Sequence, residues 1–253
     1  MTTAVHPIGP RTPVVARQII VIGGGCYGSW YAGQLARAWT RGALQVDAIT
    51  VLDRDPGCQV AGRLAETAYG DAPVHLEIAN WLDFLTPWLG AGPDARASDA
   101  IVPSPLMPHL LLDWLVGQAR GRAPTRSVTV QPLATVPPTP WERAAPDARH
   151  YVSFATWTCP VNCIEPARCP ATRGPRDWSM PETVRAMAGG DAAIDGAVIF
   201  HCEHRTYGVG MVDAATVAAA DNQVADWSAD RAARVLVGTV SHCHGALGVL
   251  AID

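Results

Sequence analysis

The residues best able to do chemistry in this sequence are three cysteines in one proline-rich stretch. Cys159-Pro160-Val161-Asn162-Cys163-Ile164-Glu165-Pro166-Ala167-Arg168-Cys169-Pro170 spaces its thiols as C-x3-C-x5-C. Prolines at this density break helix and sheet, and thiolates gathered at one point need a cation to stay ionised. The stretch is therefore expected to hold one metal centre. Its spacing matches neither the ferredoxin pattern nor the C-x2-C zinc knuckle, so zinc and a 4Fe–4S cluster both stay open. A further ligand is expected from two later runs, His201-Cys202-Glu203-His204 and His242-Cys243-His244. On a strand Cys202 and His204 share a face, and His242 and His244 share one opposite Cys243. The chain has seven cysteines, an odd number that favours metal or redox chemistry over disulfides in a protein expected to stay in the cytoplasm.

A second constellation lies near the N-terminus. Gln18-Ile19-Ile20-Val21-Ile22 runs straight into G-x-G-x-x-G at Gly23, Gly25 and Gly28, with Cys26 and Tyr27 inside the turn. A continuous apolar run is what a parallel strand buried on both faces requires. From Tyr27 to Thr40 the pattern is helical, with Gly28, Ala32, Leu35 and Trp39 on one face. In a dinucleotide-binding turn each glycine has its own task. Gly23 permits the turn, Gly25 lets the backbone approach a pyrophosphate, and Gly28 lets helix and strand pack closely. The free N–H groups at the helix start then hold the phosphates. Val46 to Leu52 reads as a second strand ending in Asp53, 25 residues past Gly28, where a carboxylate accepts hydrogen bonds from the ribose of NAD. Arg54 beside it leaves NADP open. His109, after the fourth expected strand, is the candidate acid–base residue near the nicotinamide.

The elements that must position these groups can be read along the chain. Strands are expected at Val74–Ile78, near a sheet edge, and at Asp99–Val102 and Ser127–Val130. Helices are expected at Gln59–Tyr69, at Trp81–Leu89, and from Pro108 to Gly121. Residues 14–133 thus form a βαβ-type dinucleotide domain, preceded by a lead at 1–13 that lacks a signal-peptide core. Residues 134–253 form a second segment rich in proline and cysteine. It holds strands at Tyr151–Trp157, Gly196–Phe200 and Arg234–Val240, with a helix within Asp213–Arg231 making a parallel crossover. That crossover brings the two His/Cys runs to one edge of one sheet. A weak internal echo accompanies them, since each run is followed by Gly-Val, at Gly208-Val209 and Gly248-Val249.

Composition agrees with a globular α/β chain: 49% hydrophobic and 17% charged residues over 253 positions. A formal charge of −4 supplies no attraction for nucleic acid, and no apolar run suits membrane insertion. Nucleophile-elbow, P-loop and H-E-x-x-H motifs are absent, so serine hydrolase, P-loop NTPase and zincin readings have no support.

The stretch Ile19 to Pro56, with VIGGGCYG and VLDRDP, resembles the NAD-binding domains of TrkA-type potassium-transport regulators. It is also similar to the cofactor domain of saccharopine-dehydrogenase-like oxidoreductases. The resemblance implies a Rossmann-type doubly wound parallel sheet and NAD(H), carried by Gly23, Gly25, Gly28 and Asp53. The expected function is an NAD(H)-linked redox protein with a metal or iron–sulfur site beside the dinucleotide domain. A non-catalytic NAD(H)-sensing subunit with a structural metal is the alternative, and a redox-protein partner or a homo-oligomer would suit either.

Overall fold

The computed structural model describes residues 12–160 and 162–253; the expected N-terminal lead, apart from Thr12 and Pro13, and Val161 of the cysteine stretch lie outside the described residues. The protein is a mixed α/β structure with two mixed sheets and, among the described residues, six α-helices. The first half runs β1 (Val14–Ile22), α1 (Cys26–Thr40), β2 (Leu44–Asp53), α2 (Gln59–Ala65), β3 (Val74–Ile78), α3 (Trp81–Leu89), β4 (Asp99–Val102), α4 (Leu110–Arg122) and β5 (Val128–Gln131). The second half runs β6 (Trp141–Ala144), β7 (His150–Ser153), α5 (Met180–Gly190), β8 (Gly196–His201), β9 (Glu203–Thr206), β10 (Val209–Asp213), α6 (Ala214–Trp227), β11 (Ala233–Val240) and β12 (His244–Ile252).

The first sheet has the order β3-β2-β1-β4-β10-β9. Its first four strands are parallel, and β10 and β9 add antiparallel. The second has the order β6-β7-β12-β11-β8, with β5 also paired to β12. Among the described residues of that sheet only β11 and β8 run parallel, as the expected crossover through α6 requires.

Alternation along β1 explains the layers. Ile19 and Val21 face α1 with Leu35 and Ala32, whereas Ile20 and Ile22 face the opposite core with Leu110, Trp114 and Val217. Both faces are covered, so the run carries no polar alternation. α4 and α6 lie between the two sheets, and the same core takes in Val198 and Phe200 of β8 and Val235 and Val237 of β11. On the far side of the second sheet Leu236, Leu247 and Val249 pack against Met180 and Val184 of α5.

Several local expectations change for identifiable reasons. Sheet membership does not follow the 133/134 division, because β5 joins the second sheet while β9 and β10 extend the first. The two expected segments therefore share one core. The strand expected at Tyr151–Trp157 stops at Ser153, whose hydroxyl captures the Ala155 N–H at 2.9 Å. The helix expected from Pro108 starts at Leu110 and continues through Gly121 to Arg122. The Gly-Val echo does not survive, since Val209 lies in the first sheet and Val249 in the second.

Candidate functional site

The glycine turn is built by three different constraints. Gly23 ends β1 at φ +89°, a conformation that favours glycine, and its N–H donates to the Leu52 carbonyl at 2.8 Å. Gly28 sits so close to Gly23 that an added Cβ would stand 1.6 Å from its carbonyl oxygen. Gly25 is the opposite case, for a Cβ there meets nothing within 4 Å. It is the N-cap of α1, a 15-residue helix with no side-chain cap and no acid in its first turn. The positive helix end thus faces open space, with Cys26 and Tyr27 exposed beside it.

Asp53 ends β2 next to this turn. One carboxylate oxygen accepts the Gly24 N–H at 2.6 Å and the other accepts the Asp55 N–H at 2.9 Å. A carboxylate has about four acceptor sites, so about two stay free. A cavity of about 260 Å³ opens at the carboxyl ends of β1, β2 and β3, lined by Gly23, Asp53, Arg54, Asn80, Trp81 and Met107 among others. Asn80 also caps α3, accepting the Leu82 N–H at 2.9 Å.

A second cavity, of about 330 Å³, lies across the β4–α4 loop, and its walls include Pro108, Tyr151, Ser153, Cys202, Ser241 and His244. The same loop lines both spaces, with Met107 on one and Pro105 and Pro108 on the other. The strand ends meet here as expected. His201 of β8 is register-paired with Val240 of β11, and the Cys202 N–H donates to the Val240 carbonyl at 2.7 Å. β7 and β12 place Ser153 opposite His244, with Oγ and Nδ1 2.9 Å apart. Burial pushes the Cys202 thiol up to about 12, helped by Glu165. Tyr31 of α1 is likewise raised to about 12, by burial first and then by Cys202 and Tyr27, so this thiol lies near the glycine helix. Burial holds the His244 imidazole below its ordinary value, with Glu165 opposing and His204 reinforcing the shift.

The cysteine stretch folds over these strand ends and is held by hydrogen bonds. Glu165, at φ +48°, accepts the His242 N–H at 3.0 Å, while the Cys163 carbonyl bonds to Nδ1 of His204. The backbone of Asn162 packs so tightly on Gly208 that a Cβ there would approach within 2.6 Å.

Residues 109–253 match a family model described as "Uncharacterized protein, C-terminal domain", AF_1314_C. The chain belongs to the AF_1314_C family. No curated protein matches the chain, and no solved structure does. The AF_1314_C region begins at His109 and carries the second sheet, the cysteine stretch and both His/Cys runs, while the glycine turn and Asp53 precede it.

Within the AF_1314_C region the expected metal residues come near one another without forming a ligand set. Burial raises the Cys159 thiol, followed by Cys163 and Cys169, and Cys243 accepts the Trp178 indole N–H at 3.3 Å. Cys169 is lowered instead, chiefly by the Thr172 backbone N–H. Among the described residues no group of three His, Cys, Asp or Glu is placed to hold a metal ion. Cys159, Cys163, Cys169, Cys202, His204, His242, Cys243 and His244, the expected ligands of a zinc or iron–sulfur centre, supply no such group of three among the described residues.

His109, the expected acid–base residue, is not among the residues lining either cavity. It is 5% exposed and packs against Tyr151 with the rings tilted by 53° and 5.1 Å between ring centres, behind a wall of the second cavity. Burial, then Arg149, lowers its pKa to about 4, which keeps the ring neutral. Sequence reasoning missed Ser153, Tyr151 and Ser241, because nothing in their local pattern separates them from ordinary strand and turn residues.

Proposed function

We propose that this protein is an NAD(H)-linked redox protein, with a Rossmann-type dinucleotide site at the glycine turn and a substrate space in the second cavity. The observation that carries the reading is the division of labour among the glycines. Gly23 and Gly28 are demanded by the fold, whereas the open position at Gly25 has no structural need for glycine. A residue kept bare above an uncapped helix start suits close approach by a pyrophosphate.

Further support comes from the strand order β3-β2-β1-β4, which is one half of the doubly wound pattern, and from a cavity at the strand ends. Asp53 would accept the ribose hydroxyls through its free lone pairs, and the first turn of α1 would hold the phosphates. Arg54, lining the same cavity, suits a 2′-phosphate, so NADP(H) belongs in the test. When bound, the nicotinamide supplies two-electron exchange as hydride.

The chain's own contribution is to orient the substrate. Tyr151, Ser241 and His244 offer polar atoms in the second cavity, and Cys202 remains a neutral thiol on its wall. Calorimetric titration with NADH and NADPH tests the proposal: wild-type protein should bind one of them, and Gly25→Val should abolish binding while leaving the melting temperature intact. No binding of either by folded protein would refute it.

A further inference from the structure

The hydrogen bonds of Ser153 determine which nitrogen of His244 carries a proton. Besides His244 Nδ1 at 2.9 Å, Ser153 Oγ lies 2.8 Å from the Ala155 carbonyl oxygen and 2.9 Å from the Ala155 backbone nitrogen. A hydroxyl has one hydrogen and two lone pairs. All three contacts are satisfied together in one arrangement. The hydroxyl donates to the Ala155 carbonyl, and accepts from the Ala155 N–H and from His244 Nδ1–H. With the proton on Nδ1, Nε2 is left as a bare acceptor. Ser153 is buried, so its side of this set is shielded from water, while His244, exposed as a residue but with its ring partly desolvated, lines the second cavity.

We infer that His244 is the acid–base residue of the second cavity, exchanging a proton at Nε2 with a small neutral alcohol or carbonyl substrate, and that Ser153 is its positioning residue. The inference rests on the NAD(H)-linked reading above. During oxidation the substrate O–H proton passes to Nε2 and leaves an imidazolium. The O–H bonding pair becomes the second C=O bond, and the C–H hydrogen departs with its electron pair to an oxidised nicotinamide. Reduction runs the same transfers in reverse.

The substrate class follows from the walls. Among the described residues lining this cavity none is lysine or arginine, so a carboxylate or phosphate would find no counter-charge from them. Pro105, Pro108, Val240 and Ala246 supply apolar surface, and about 330 Å³ suits a small molecule. Glu165 and His204 act on His244 from outside, and Cys202 and Tyr151 face the same space.

The first test needs no cofactor. Nitrogen-15 spectra of the imidazoles should show His244 as the Nδ1–H tautomer in wild type, a mixture in Ser153→Ala, and Nδ1–H again in Ser153→Thr. An Nε2–H ring in wild type, or a tautomer indifferent to Ser153→Ala, overturns the assignment. The second test offers small neutral aldehydes and ketones to the NADH-bound protein. His244→Gln should slow NADH oxidation roughly 100-fold or more while NADH affinity, measured calorimetrically, stays unchanged. Equal rates, or no oxidation by any acceptor in protein that binds NADH, overturn the acid–base role. Failure to bind NADH at all would instead count against the dinucleotide reading, and the tautomer spectra then decide the His244 assignment alone.

Discussion

Gly28 stands against Gly23 with no room for a methyl group: a Cβ on Gly28 would lie 1.6 Å from the Gly23 carbonyl oxygen. The carbonyl belongs to the backbone and a Cβ is bonded directly to backbone, so neither can swing away. Gly28→Ala should therefore destabilise the fold by about 2–3 kcal/mol through overpacking. Gly25→Ala should change stability by less than about 0.5 kcal/mol, because its Cβ meets nothing within 4 Å. Denaturant unfolding of the two variants measures the contrast, and similar losses in both would disprove the assigned roles.

Asp53 serves the turn and the proposed ribose site at once. Asp53→Ala removes the acceptors for the Gly24 and Asp55 N–H groups. Dinucleotide affinity should fall by roughly 1–3 kcal/mol, as loss of charge-assisted hydrogen bonds does. Stability should fall by about 1 kcal/mol, read from the same unfolding curves. Unaltered affinity would remove Asp53 from the site.

His109 gives a pH signature to the fold. Its pKa is about 4 when folded, lowered by burial and by Arg149 from the ordinary 6.5. The unfolded chain therefore takes up the proton first. The stabilisation is complete above about pH 6.5 and is lost as pH falls towards 4, amounting to roughly 3 kcal/mol. His109→Asn should flatten that part of the stability–pH curve. An unchanged slope between pH 7 and 4 would show that other groups set it.

Cys202 should be a slow nucleophile despite lining a cavity. Its thiol is raised to about 12, first by burial and then by Glu165, so it stays protonated at pH 8. Alkylation by iodoacetamide at that pH should label the exposed Cys26 at least about 100-fold faster, since only the thiolate reacts. Peptide mapping by mass spectrometry reads the ratio, and comparable rates would refute the buried, protonated thiol.

Much of the first sheet was legible because its signals are local. The apolar run of β1, the glycine spacing and the acid closing β2 all fall between Gln18 and Asp53, and β3 and β4 form over the residues expected. The parallel crossover β8–α6–β11 was also readable, since an alanine-rich helix between two apolar runs has few other arrangements. α5 was missed although Ser179 and Glu182 form a helix-start signature, with the Ser179 side chain accepting the Glu182 N–H. The prolines around it, at Pro170, Pro175 and Pro181, give the segment the pattern of a loop.

The tertiary structure decided what depends on distant segments. β10 pairs antiparallel with β4, joining residues near 212 to residues near 101, and no local pattern specifies that choice. His109 looked like a reactive group at a helix start, yet it is buried beside Tyr151 of β7, and burial together with the charge of Arg149 keeps it neutral. The cysteine stretch suggested a metal by composition, while its folded path is set by contacts of Glu165 with His242 and of Cys163 with His204. Ser153 and His244 are 91 positions apart, and only the register of β7 against β12 brings them together. Amino-acid pattern thus determined where the chain turns and which strands are buried, because those follow from short-range sterics and hydrophobic period. Which side chains share a cavity was decided by strand pairing across the whole chain, where the free energy lies in long-range packing.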